Sequence, residues 1–157
     1  MKLRKFLLAA AIAALAASQA FAAALPEVEG WECGPLRETQ LDAVSGHQGQ
    51  WLEREDRTAN GVKFLAVWME GAGPKLWKPV TEVGEGGETS GGESAEKISV
   101  AGRGAMLESR PVLGLSLIVK LGKDGVLTLE SQSADRDELT RAAETLIEQM
   151  EAEKAEK

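Results

Sequence analysis

The 157-residue sequence is poor in the side chains from which compact sites are usually built. It holds one cysteine, so no disulfide can form within the chain. Cys33 is therefore a buried small side chain, a free thiol, or a link to a second molecule as a Cys33-linked dimer. It holds one histidine, His47, which excludes His-rich metal sites and weakens any Ser-His-acid arrangement. Positive charge is also scarce: 18 Lys and Arg stand against 25 Asp and Glu, for a net charge of −7. Such a balance disfavours nucleic acid and anionic membrane surfaces, and no nucleic-acid partner is expected.

Only one long apolar run occurs, Phe6 to Ala17, and it sits behind the basic start Met1-Lys-Leu-Arg-Lys5. Ala20-Phe21-Ala22 then places small residues where a signal peptidase reads them. Residues 1–22 are read as a cleaved secretory signal, because the run is shorter than the ~20 apolar residues of a comfortable membrane span. No membrane span is expected once the signal is removed. Loss of Lys2, Arg4 and Lys5 moves the net charge from −7 to −10. The expected location is the periplasm, with secretion to the extracellular space as the alternative.

What remains is long enough for one modest core. Residues 23–30 read as a polar lead-in, with Trp31 opening the folded part. Residues 31–151 form the expected single domain, interrupted at 81–94 by an acidic stretch of Gly, Glu, Ser and Thr that has too little apolar surface to offset its ordering entropy. Residues 152–157 read as a solvated tail. Leu36 to Val44 fits a short strand or a helical turn equally well. Ser45 to Gly49 reads as a loop. Gln50 to Arg57 is a charged strand arm, expected near a sheet edge. Asn60-Gly61 turns it into the apolar arm Val62 to Met69, expected to be central.

The best patterned part is the hairpin Val112–Leu121 and Val126–Ser131. Leu113, Leu115, Leu117, Val119 and Leu121 alternate, as do Leu127 and Leu129, so each set shares one face. Asp124-Gly125 supplies the turn pair, and Gly114 marks a bulge or a close approach. Short strands are expected at Lys97–Ala101 and Ala105–Ser109. Asp135 and Glu138 form a capping box ahead of Leu139, Ala142, Ala143, Leu146, Ile147 and Met150, an apolar stripe at spacings of three and four. The fold class that follows is α+β: a single antiparallel sheet of roughly six strands with a C-terminal amphipathic helix packed on one face.

Four groups of residues invite a chemical reading. Lys75, Trp77 and Lys78 lie in the crossing Gly71–Pro79, where two ammonium groups beside an indole suit an anionic ligand or a partner's carboxylate. The competing reading puts Trp77 at the edge of the core with both lysines solvated. Asp42, Ser45 and His47 have the chemistry of an acyl-transfer triad but sit close together in sequence without a nucleophile elbow. Cys33 lacks a second cysteine to resolve a disulfide, and Glu32 beside it opposes thiolate formation. Glu82, Glu85, Glu88 and Glu93 do not follow a calcium-loop pattern. Neither a metal nor a cofactor is expected.

The expected function is therefore that of a small exported, non-enzymatic protein that binds an envelope protein or a small ligand. The alternative is a small hydrolase-like extracytoplasmic enzyme using His47 or Cys33. Convergence separates the two, since catalysis needs titratable groups meeting in one pocket.

Overall fold

Alternating side chains along successive strands leave one continuous apolar face, and a helix with one apolar stripe covers it. The computed structural model describes residues 25–43, 46–71, 88–89 and 93–156. The expectations for residues 1–22, for most of the acidic stretch, and for Ser45, Lys75, Trp77 and Lys78 lie outside the described residues. The strands are β1 (Glu32–Cys33), β2 (Arg37–Ala43), β3 (Gly46–Arg57), β4 (Lys63–Gly71), β5 (Glu88–Thr89), β6 (Glu93–Val100), β7 (Arg103–Arg110), β8 (Gly114–Leu121) and β9 (Gly125–Ser131). The one helix among the described residues is α1 (Arg136–Ala155).

All the strands join one sheet in the order β1-β3-β4-β9-β8-β7-β6-β5, with β2 also paired to β3. Every pairing is antiparallel. The α+β class with one antiparallel sheet and a covering C-terminal helix is as the sequence predicts. The sheet exceeds six strands because the ambiguous segment before Val44 is a strand and because β1 and β5 add short pairings. β4 is internal, flanked by β3 and β9.

Two local expectations differ from the structure. Residues 46–49 are strand rather than loop, since β3 begins at Gly46 and β2 folds back on it. β3 lies near the edge as expected, with the edge positions beyond it taken by β1 and β2. The acidic stretch contributes Glu88-Thr89 and the start of β6 to the sheet, pairing through Glu88↔Ser94 and Thr89↔Glu93.

Leu52, Phe64, Ala66, Trp68, Leu117, Val119, Leu127 and Leu129 form the inner face of the sheet. The registers Leu52↔Trp68, Trp68↔Leu127, Leu127↔Val119 and Leu129↔Leu117 put them side by side. On the helix, the buried residues are Leu139, Ala142, Ala143, Leu146, Ile147 and Met150, the stripe read from the sequence. Each fully buried Leu or Ile contributes ~1.5–3 kcal/mol through transfer from water. The capping box is present: Asp135 Oδ1 accepts from the Glu138 amide at 2.8 Å, and Glu138 Oε2 accepts from the Asp135 amide at 2.9 Å. Two exposed pairs tie the helix to the outer strands, Arg136 donating twice to Glu96 at 2.8 and 3.0 Å and Arg103 meeting Glu151. Exposed pairs of this kind are worth little, under ~1 kcal/mol each.

Two glycines have reasons that pattern alone does not give. Gly125 is needed for space: a Cβ there would strike the Trp68 ring, which packs beneath it. The positive φ of that hairpin falls instead on Gly122, at 67°, in the three residues between Leu121 and Gly125. Gly114 has φ of 86°, and a Cβ there would meet the Ser131 carbonyl, the close approach anticipated for it. Ser131 is the hub of the β9–α1 turn. Its hydroxyl donates to the Lys63 carbonyl at 2.6 Å and accepts from the Ala134 amide at 3.0 Å.

The least expected feature is on β3. Arg54 and Asp56 point to the inner face and are both 2 % exposed. The Arg54 guanidinium donates to both Asp56 carboxylate oxygens at 2.7 and 2.9 Å and to the carbonyls of Leu25 and Pro26 at 3.0 and 2.8 Å. Burial by itself lowers the Arg54 pKa, but the hydrogen bonds and charge of Asp56 outweigh it and the net shift is upward. The same contacts hold Leu25 in the core at 1 % exposure, so folding begins ahead of Trp31. Trp31 adds an edge-to-face contact with Phe64 at 5.5 Å between centroids.

Replacing Arg54 with Met should destabilise the fold by ~3–5 kcal/mol in denaturant unfolding, because Asp56 is left buried without its cation. The double change Arg54→Met with Asp56→Leu should recover much of that loss.

Candidate functional site

The candidate site is an open groove of about 960 Å³ lined by residues of β1, β2, β3, β4, β7, β8 and β9. Sequence order does not reveal it, because seven strands from across the chain contribute. Its position follows from register: Cys33↔Asp56, Asp56↔Phe64, Leu65↔Glu130 and Ser116↔Glu130 fall on successive strands. Phe64, Leu65 and Leu115 supply apolar lining, while Arg37, Arg57, Lys63 and Arg110 bring positive charge. Four carboxylates share the same space, those of Glu32, Glu55, Asp56 and Glu130.

Most of these cations already have partners. Arg37 Nε lies 2.9 Å from Glu53, Arg57 Nε 3.6 Å from Glu32, and Arg110 2.9 Å from Glu108. Such half-exposed pairs are weak and can exchange partners at little cost. The rim is apolar. Leu36, Val112 and Leu113 are 39 %, 87 % and 59 % exposed, and they are the exposed large apolar side chains among the described residues. Leu36 adjoins the lining residues Pro35 and Arg37, and Val112 and Leu113 form the tip of the β7–β8 hairpin. Single exposed apolar residues are ordinary, but Val112 and Leu113 are adjacent at one tip, and Leu113 also lines the groove.

Cys33 lines this groove and is half-buried. Burial is the first cause that raises its thiol pKa. The Val28 backbone opposes that shift and the Asp56 carboxylate adds to it. The thiol is therefore protonated at neutral pH, the opposite of what a nucleophilic cysteine requires.

His47 is not in the groove. Its backbone pairs with Asp42 near the start of β3, whereas Cys33 pairs with Asp56 near the end. Nine residues of strand separate His47 from Asp56, about 30 Å at ~3.4 Å per residue. The two residues named for a hydrolase-like reading thus lie beside opposite ends of β3, His47 within it and Cys33 on the neighbouring β1, and Cys33 is the one that lines the groove. Glu88 and Glu93 belong to the β5–β6 pairing at the far side of the sheet. Among the described residues, no group of three or more His, Cys, Asp or Glu is arranged to hold a metal ion. No described helix is long and apolar enough to cross a membrane.

Two features of the site escaped sequence reading. The Arg54–Asp56 pair holds the groove wall behind Cys33, yet in sequence it belongs to a run that looks solvated. The apolar hairpin tip Val112-Leu113 reads as the first two residues of a strand. The Pro111 that precedes them was the available signal for a tip.

Alkylation of Cys33 by iodoacetamide should be slow at pH 7. The rate should still be below half its high-pH limit at pH ~8.5, where an ordinary thiol is about half ionised. A rate already at its plateau by pH 8 would contradict the upward shift. No family model, no curated protein and no solved structure matches the chain.

Proposed function

We propose that this is a non-catalytic binding protein that acts after export and receives an extended segment of a partner protein in the groove. The observation that carries the reading is the exposed apolar hairpin tip Val112-Leu113, whose Leu113 lines an opening shared with arginine and lysine. A partner matching that chemistry offers apolar side chains to the rim and carboxylates to Arg37, Arg57, Lys63 and Arg110. The groove is only partly enclosed, which suits an extended chain better than a small molecule needing full enclosure. The partner's carboxylates would displace the weak intramolecular pairs, so most of the affinity would come from apolar burial and the charges would set register and selectivity.

Export is read from the basic start, the apolar run and the small residues at Ala20 and Ala22. Action in the periplasm follows from it, and the acidic surface keeps the protein off anionic lipid. The protonated state of Cys33 and its separation from His47 favour binding over turnover.

The test compares wild type with a double variant, Val112→Asp with Leu113→Asp, in capture from the host's envelope fraction. Both positions are largely in water, so the melting temperature should change little. The expected result is at least a tenfold loss of the captured partner. Equal capture by the two proteins would contradict the proposed role of the groove rim.

A further inference from the structure

The sheet registers sort the charges of the groove into two rows. Glu55, Leu65, Glu130, Ser116 and Glu108 are cross-strand partners in succession from β3 to β7. Directly opposed residues of an antiparallel pair share a face, so these five side chains project from one side of the sheet. It is the side away from α1, because the neighbouring positions Phe64, Leu129, Leu117 and Leu107 belong to the core beneath the helix. Two residues away on three of these strands stand Arg57, Lys63 and Arg110, and a period of two puts them on the same side. The sheet therefore ends in a basic row. A parallel acidic row lies about 6.7 Å further in, two residues along the strands. Leu65 is half-buried between Glu55 and Glu130.

Two features of these rows work against the isolated fold. Arg57 and Lys63 are like charges directly opposite each other, which costs stability. Glu55 and Glu130 both lie diagonal to Lys63, within reach of a long side chain. Yet among the described residues no ion pair engages Lys63, Glu55 or Glu130, three exposed groove residues. An extended chain that crosses the strands between the rows sends successive side chains to opposite sides. One set meets the basic row and the other meets the acidic row, and the apolar stems of long side chains can rest on Leu65.

We propose that the segment bound in the groove carries charges that alternate in sign, with acidic side chains directed to Arg57, Lys63 and Arg110 and basic side chains directed to Glu55, Glu130 and Glu108. This rests on the groove being the binding site and narrows the partner's chemistry. A run of carboxylates alone would meet the acidic row at every second residue and be repelled there. Charge alternation sets the register of the segment, and the apolar tip Val112-Leu113 adds contact beside it.

Two synthetic peptides of identical composition provide the test on the full chain. One alternates Glu and Lys, and the other carries the same residues in two blocks. Both have a Leu at each end and equal numbers of Glu and Lys. Amide NMR titration at low salt reads affinity and location together. The alternating peptide is expected to bind roughly tenfold more tightly than the block peptide, with shifts at the amides of Lys63, Leu65 and Glu130. Added salt should shrink the difference. In Glu130→Lys the preference is expected to fall to about twofold or less. Equal affinities at the groove amides would overturn the alternation and leave the groove as the binding site. Shifts at no groove amide with either peptide would overturn both. Full preference retained in Glu130→Lys would also overturn the alternation, because the acidic row would not be reading the peptide. If that variant does not fold, the wild-type comparison still decides.

Discussion

The whole architecture depends on the contact between one apolar sheet face and one helical stripe. Leu117, Val119, Leu127 and Leu129 are fully buried, and so are Leu139, Ala143 and Leu146 across from them. A sheet of this width with an open apolar face would aggregate, and α1 alone would be marginal in water. Each element therefore makes the other tenable. The capping box fixes where α1 starts, and the Ser131 hydroxyl fixes the turn that delivers it over the strands it must cover. The arginines at positions 136 and 103 add placement rather than much energy.

The buried Arg54–Asp56 pair extends that core to the beginning of the folded chain. Its guanidinium satisfies two carbonyls that would otherwise be buried without donors, and so fixes Leu25 and Pro26 beside the sheet. This makes one wall of the groove rigid and leaves Cys33 against an acidic neighbour. The same arrangement that secures the fold also makes the cysteine a poor nucleophile.

The parts of the fold governed by periodicity were legible in the sequence. The start and the buried stripe of α1 were readable to the residue because a stripe at three and four spacings and a capping box agree, while its last turn runs to Ala155, into the stretch read as a solvated tail. The β8–β9 hairpin was readable because alternation is strict. Legibility failed where a charged residue stands at an inward position. The run Leu52-Glu53-Arg54-Glu55-Asp56 looks wet on at least one face, and nothing in its pattern says that Arg54 and Asp56 pair with each other inside. Gly125 misled in a different way: its Asp-Gly pairing suggested a backbone requirement, while the actual constraint is the Trp68 ring beneath it. The groove was illegible because it is assembled from residues as far apart as Glu32 and Ser133, joined by registers that no local pattern encodes.

Native-state hydrogen exchange tests the central dependence between sheet and helix most directly. The account predicts that amides of α1 from Leu139 to Met150 and amides of β4, β8 and β9 exchange through one common opening, with matching free energies and matching response to denaturant. A lower-energy opening that releases α1 while β8 and β9 keep their full protection would contradict it.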